Sequence, residues 1–105
     1  MFARSVTVRL KPNSVAEFNR TMEKDILPLL QRQKGFQDEI SLVASNGSEA
    51  IGISLWDQKQ DAEAYQRTNY SQVQQFLSKV IEGNPQVQTY EVGTSTVHKA
   101  ASHAA

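Results

Sequence analysis

A single tryptophan, Trp56, closes an alternating strand and passes straight into helix within IGISLWDQKQDAEAYQRTNYSQVQQFLSKV, residues 51–80. An indole at a strand exit either stacks on a flat ligand while donating its N–H, or plugs the seam between two protomers. Ser5, Thr7 and Ser54 fall by alternation on the same expected face. Their hydroxyls offer short contacts to a ligand oxygen, although serine and threonine also simply tolerate a wet sheet surface. Tyr90 faces the same side on the last strand, where it lines a cavity or seals a dimer seam. Trp56, Ser5, Thr7, Ser54 and Tyr90 are therefore the candidate substrate-binding residues; none is assigned a catalytic role. Glu39 is the one carboxylate expected on that face. Burial would raise its pKa toward a value suited to accepting a proton, and an acid on a solvated edge strand explains it equally well. Arg9 reads as a solvated strand end, and Tyr65 and Tyr70 as aromatics packing on or beside the second helix.

Other chemistries are poorly provided for. Cysteine is absent, which excludes disulfides, thiolate metal sites and thiol nucleophiles, and favours a cytoplasmic location. His98 and His103 are five apart, unlike ligands one helical turn apart, and sit in or beside the tail. No metal or other cofactor is expected. Eleven basic residues balance eleven acidic ones, so the positive field that holds phosphate backbones is missing and nucleic acid is not an expected partner. No apolar run approaches the roughly 20 residues that span a bilayer, and MFARSVTVRL alternates rather than forming a signal-peptide core.

The elements that must position these side chains follow from periodicity. Phe2, Val6, Val8 and Leu10 alternate with Ala3, Ser5, Thr7 and Arg9, a first strand. Pro12 stops it, and Ser14 with Glu17 has the spacing of a capping box. Val15, Phe18, Met22, Ile26 and Leu29 then form one helical stripe, with a kink expected at Pro28 and a left-handed stop at Gly35. Phe36, Ile40 and Leu42 alternate in a second strand, and the Asn-Gly pair at 46–47 turns a hairpin into a third, whose Ile51, Ile53 and Leu55 share a face. Asp57 and Gln60 are spaced to cap a second helix, expected to break near Thr68–Ser71 and to run through Val80 and Ile81. Gly83, Asn84 and Pro85 read as its stop, and PQVQTYEVGTSTV as a fourth strand.

The order βαββαβ predicts an α+β, ferredoxin-like fold: a four-stranded antiparallel sheet with two helices on one face. One domain over residues 1–98 and a disordered tail over 99–105 are expected. The expected core joins the even residues of the first strand to Ile40, Leu42, Ile51, Ile53 and Leu55, leaving Trp56 and the hydroxyls on the opposite face. A domain of 105 residues buries only part of its surface, and a second copy would cover the remaining apolar face.

With LWDQKQDAEAY at the strand exit, LLQRQKGF at the end of the first helix and VQTYEVG near the end, residues 2–97 resemble an antibiotic biosynthesis monooxygenase domain. The resemblance implies a homodimer, a dimeric α+β barrel in which two sheets face each other and the fourth strand reaches toward the partner. It also implies a small aromatic ligand and oxidoreductase chemistry without a cofactor: a phenol or hydroquinone in a sheet-lined cavity loses a proton, and its anion reduces O₂. In the cofactor-free polyketide monooxygenases an asparagine stands four positions before the tryptophan, and here that position is Gly52. Haem-degrading relatives use a first-strand asparagine and a second-helix histidine, and this chain has neither. A non-catalytic ligand-binding dimer and a dimer whose cavity is filled by its own side chains are the alternatives.

Overall fold

The computed structural model describes residues 1–97. Along the chain run β1 (Phe2–Leu10), α1 (Val15–Thr21), a π-helical turn (Met22–Ile26), α2 (Leu27–Gln31), β2 (Phe36–Val43), β3 (Glu49–Trp56), α3 (Lys59–Thr68), α4 (Tyr70–Leu77) and β4 (Ile81–Glu91). The four strands form one antiparallel sheet in the order β2-β3-β1-β4. This is the ferredoxin-like α+β fold. The helical stripe Phe18, Met22, Ile26, Leu29 and Leu30, with Tyr65, Tyr70, Val73 and Leu77, packs onto Phe2, Val8, Leu10, Ala50 and Trp56 in one core.

Local signals act largely as the sequence indicates. The hairpin turns on Asn46, whose side-chain oxygen accepts from the Ser48 amide at 3.0 Å, and on Gly47 at φ +74. The second helix breaks at Asn69, between α3 and α4. At Pro28 the first helix does not merely bend: the preceding turn widens to π geometry. A proline ring collides with the carbonyl four residues back, and looser winding before it relieves that collision. The two expected capping boxes do not form. Ser14 turns its hydroxyl to the Pro12 carbonyl, and Asp57 instead accepts from Gln37 Nε2 at 2.6 Å while the helix starts at Lys59. The second helix ends at Leu77, earlier than expected, and Gly83-Asn84-Pro85 lies inside β4 rather than before it. Gly83 at φ +70 absorbs the register shift between Thr7↔Gln86 and Arg9↔Glu82, and Pro85 is accommodated because β4 is an edge strand.

The faces of the sheet differ from the expectation in a way that moves the site. β1 pairs with β3 in the register Phe2↔Trp56, Arg4↔Ser54, Val6↔Gly52 and Val8↔Ala50, so even residues meet even residues. Cross-strand partners share a face. The face under the helices therefore carries Phe2, Arg4, Val6, Val8, Ala50, Gly52, Ser54 and Trp56. Ile51, Ile53 and Leu55 point to the uncovered face with Ile40 and Leu42, which are 55% and 47% exposed. They are not the core, because slipping a pairing by one residue inverts a strand. His98 and the tail lie outside the described residues.

Candidate functional site

The sheet separates the five candidate residues into two groups. Ser5, Thr7 and Tyr90 lie on the uncovered face, where the Tyr90 hydroxyl donates to Gln88 Oε1. Ser54 and Trp56 lie beneath the helices. Trp56 is completely buried: Tyr65 stacks on it at 5.2 Å, Phe36 meets it edge-on at 5.5 Å, and its Nε1–H donates to Ser54 Oγ at 2.9 Å. Ser54 Oγ in turn donates to the Arg4 carbonyl at 3.4 Å, so the hydroxyl is engaged on both sides. The indole stands behind Tyr65 and braces it.

Between the sheet and the helices lies a partly open cavity of about 50 Å³. Val6, Val8, Phe18, Met22, Ile26 and Leu77 supply apolar walls. Five polar residues interrupt them: Arg4 and Ser54 from adjacent strands, Glu39 from β2, Tyr65 from α3 and Tyr70 from α4. This volume has room for a few waters or the polar end of a ring, and a larger ligand must part the lining side chains.

Arg4 sits at an even position of β1 among apolar neighbours and is 3% exposed. Its guanidinium lies 4.2 Å over the Tyr70 ring and 5.3 Å from that of Tyr65, and donates to Gln66 Oε1. Two ring faces and an amide oxygen meet its charge, and among the described residues no carboxylate pairs with it. Burial pushes the Tyr65 hydroxyl up to about 12; Arg4 pulls the other way, and Tyr70 and Glu39 add to the rise. Tyr65 thus stays protonated as a donor at neutral pH.

Glu39 reaches the same cavity because β2 carries a bulge. Phe36 pairs with Trp56, the register shifts, and Glu39 then pairs with Ser54, which turns its side chain under the helices. Burial holds its carboxyl above the ordinary 4.5, opposed by a hydrogen bond donated by Ser41 Oγ at 2.9 Å. Its Oε2 lies over Gly52, where an added Cβ would come within 3.1 Å. The missing side chain at Gly52 is what leaves room for this carboxylate. Sequence reasoning passed over Arg4, although a charged residue in register with Phe2, Val6 and Val8 was the available signal. Among the described residues no three histidine, cysteine, aspartate or glutamate side chains gather into a metal-binding group.

The fold places this chain in the class of ferredoxin-like α+β domains with a cavity under the helices. No family model matches the sequence, and no curated protein matches it either. Solved structures do share the fold. A Nitrosomonas europaea protein of unknown function aligns over 90% of this chain and 91% of its own at TM-score 0.74 and 14% identity. A Bordetella bronchiseptica protein, for which antibiotic biosynthesis monooxygenase is a proposed assignment, aligns over 87% and 95% at TM-score 0.73 and 13% identity. A monooxygenase from the gene ActVA-Orf6 of Streptomyces coelicolor, in complex with nanaomycin D, aligns over 85% and 84% at TM-score 0.73 and 14% identity. At these identities the likeness is one of fold.

Proposed function

We propose that the protein is a cofactor-independent monooxygenase of the antibiotic biosynthesis type, acting on a small phenol or hydroquinone. The observation that carries this reading is the cavity beneath the helices, where Arg4, Glu39, Ser54, Tyr65 and Tyr70 face one apolar space. The Streptomyces coelicolor monooxygenase of the same fold, solved with nanaomycin D, supports it. Apolar walls exclude water and orient the ring, and fixed donors stabilise charge as it develops on the ring oxygen. For a phenol oxidised to a quinone the balance closes with O₂ alone. A ring C–H bond breaks and a C–O bond forms, the ring loses four electrons, and the second oxygen atom leaves as water with two hydrogens from the substrate. Oxygen uptake with a panel of small phenols and hydroquinones tests the activity. Uptake that falls at least about tenfold in Trp56→Phe, whose indole braces Tyr65 and Ser54, is the expected result. No uptake with any of the panel overturns the reading.

The small cavity volume, about 50 Å³, favours a second reading: a module that binds one ring without turnover. Tight binding without oxygen uptake identifies it. In either case the partner we expect is a second copy. The uncovered sheet face carries Ile51, Ile53 and Leu55 on the inner strand β3, with Ile40 and Leu42 on one edge strand and Tyr90 on the other each about half exposed. Such a face can be self-complementary about a two-fold axis. No helix among the described residues is long and apolar enough to cross a membrane.

A further inference from the structure

We infer that the cavity takes its ligand as an anion, with Arg4 holding the deprotonated ring oxygen and Glu39 keeping the proton that the hydroxyl gives up. This deepens the proposed function and rests on its cavity. Three features of the geometry carry it. Arg4 is a buried cation whose neighbours are ring faces and an amide rather than a carboxylate, so an anionic ligand would find a charge that is already desolvated and held in place. Glu39 and Arg4 line the same space from different strands, and the absent side chain at Gly52 clears the approach to Oε2. The other titratable groups facing the cavity are Tyr65 on α3 and Tyr70 on α4. Tyr65, held protonated by burial, serves as a donor rather than a competing base.

The step is a simple transfer. The ligand O–H bond breaks, its electron pair stays on the ring oxygen beside Arg4, and the proton bonds to a Glu39 carboxylate oxygen. Two consequences follow for substrate class. Ring compounds with an acidic hydroxyl are preferred over their methyl ethers, and binding does not release the proton to solvent.

The test uses 4-nitrophenol, whose absorption differs between neutral and anionic forms, and 4-nitroanisole, which cannot ionise. Trp56 is the only tryptophan, and its quenching by a nitroaromatic reads occupancy of either probe. The titration is run below the pKa of free 4-nitrophenol, with proton release followed in weak buffer. The full chain is expected to bind 4-nitrophenol with the anion spectrum and to release almost no protons. Glu39→Gln, checked for folding by circular dichroism, is expected to bind the same anion while releasing about one proton per site, because the acceptor is gone. Arg4→Gln is expected to weaken 4-nitrophenol about tenfold while leaving 4-nitroanisole unchanged, equivalent to one pKa unit of lost preference for the anion. If that variant does not fold, the spectrum bound to the unmodified chain decides. A neutral spectrum there, or equal proton release with and without Glu39, overturns the inference while leaving the cavity intact. Failure of both probes to quench Trp56 overturns the cavity reading together with it.

Discussion

Glu39 carries the sharpest consequence for stability, because burial lifts its carboxyl above the ordinary value while Ser41 only partly offsets the rise. Between the unfolded and folded values the native state binds more protons than the unfolded chain, so stability falls as pH rises through that window. The contribution is fully present below the ordinary 4.5 and is lost as pH rises through the raised folded value, above which the carboxylate is ionised in a poorly solvated site. Glu39→Gln removes the titration. Its urea midpoint is therefore expected to exceed that of the parent at pH 7 and to converge on it as pH drops below about 4.5, as equilibrium unfolding across pH would show. A midpoint difference independent of pH would contradict the buried-acid account. The neighbouring Ser54–Trp56 pair has another role. Its hydrogen bonds satisfy the buried indole and hydroxyl and fix the wall against which Tyr65 packs.

Among the connecting segments, two glycines with similar backbone angles are expected to respond differently to alanine. Gly35 sits at φ +79, and a Cβ there would fall 2.0 Å from Asp61 Oδ2, whereas Gly83 at φ +70 has nothing within 4 Å. Both substitutions incur the left-handed penalty of roughly 1–2 kcal/mol, and only Gly35→Ala must also displace the Asp61 side chain in the first turn of α3. Gly35→Ala is thus expected to lose more than Gly83→Ala by thermal unfolding, and the reverse order would mean that the Asp61 side chain yields freely. The same segment explains how the site is assembled. The Gly35 carbonyl accepts from the Asp57 amide at 2.8 Å, tying the entry of β2 to the exit of β3 next to Trp56. Gly35 was legible as a helix stop because glycine after an apolar stripe has one common use. The bulge that turns Glu39 inward was not, since nothing in Gln37–Asp38 marks an irregular pairing.

The whole molecule is a sheet with one face under helices and the other bare. The bare face joins Ile40 and Leu42 of β2 to Ile51, Ile53 and Leu55 of β3, with Ser5, Thr7 and Tyr90 beyond. For a chain of this size an apolar sheet face left in water forfeits burial that association would recover. Leu42→Glu, at a position 47% exposed, is expected to leave the fold intact and to shift sedimentation from dimer to monomer at micromolar concentration. A parent chain that already sediments as a monomer would sink the dimer proposal without touching the cavity, because the cavity belongs to one chain.

The sequence alone determined the element order, the helical stripes, the hairpin and therefore the fold, because each is written in local periodicity and turn chemistry. Only the tertiary structure decided which strand faces point the same way. The period of two says that residues alternate, but the parity with which β1 meets β3 depends on a pairing between segments some fifty residues apart, as in Arg4↔Ser54. Both faces of β3 carry apolar residues, so hydrophobicity did not choose between them. The pairing of Phe2 with Trp56 did, and with it Arg4, Glu39 and Ser54 came together beneath the helices while Ser5, Thr7 and Tyr90 were left on the other side of the sheet.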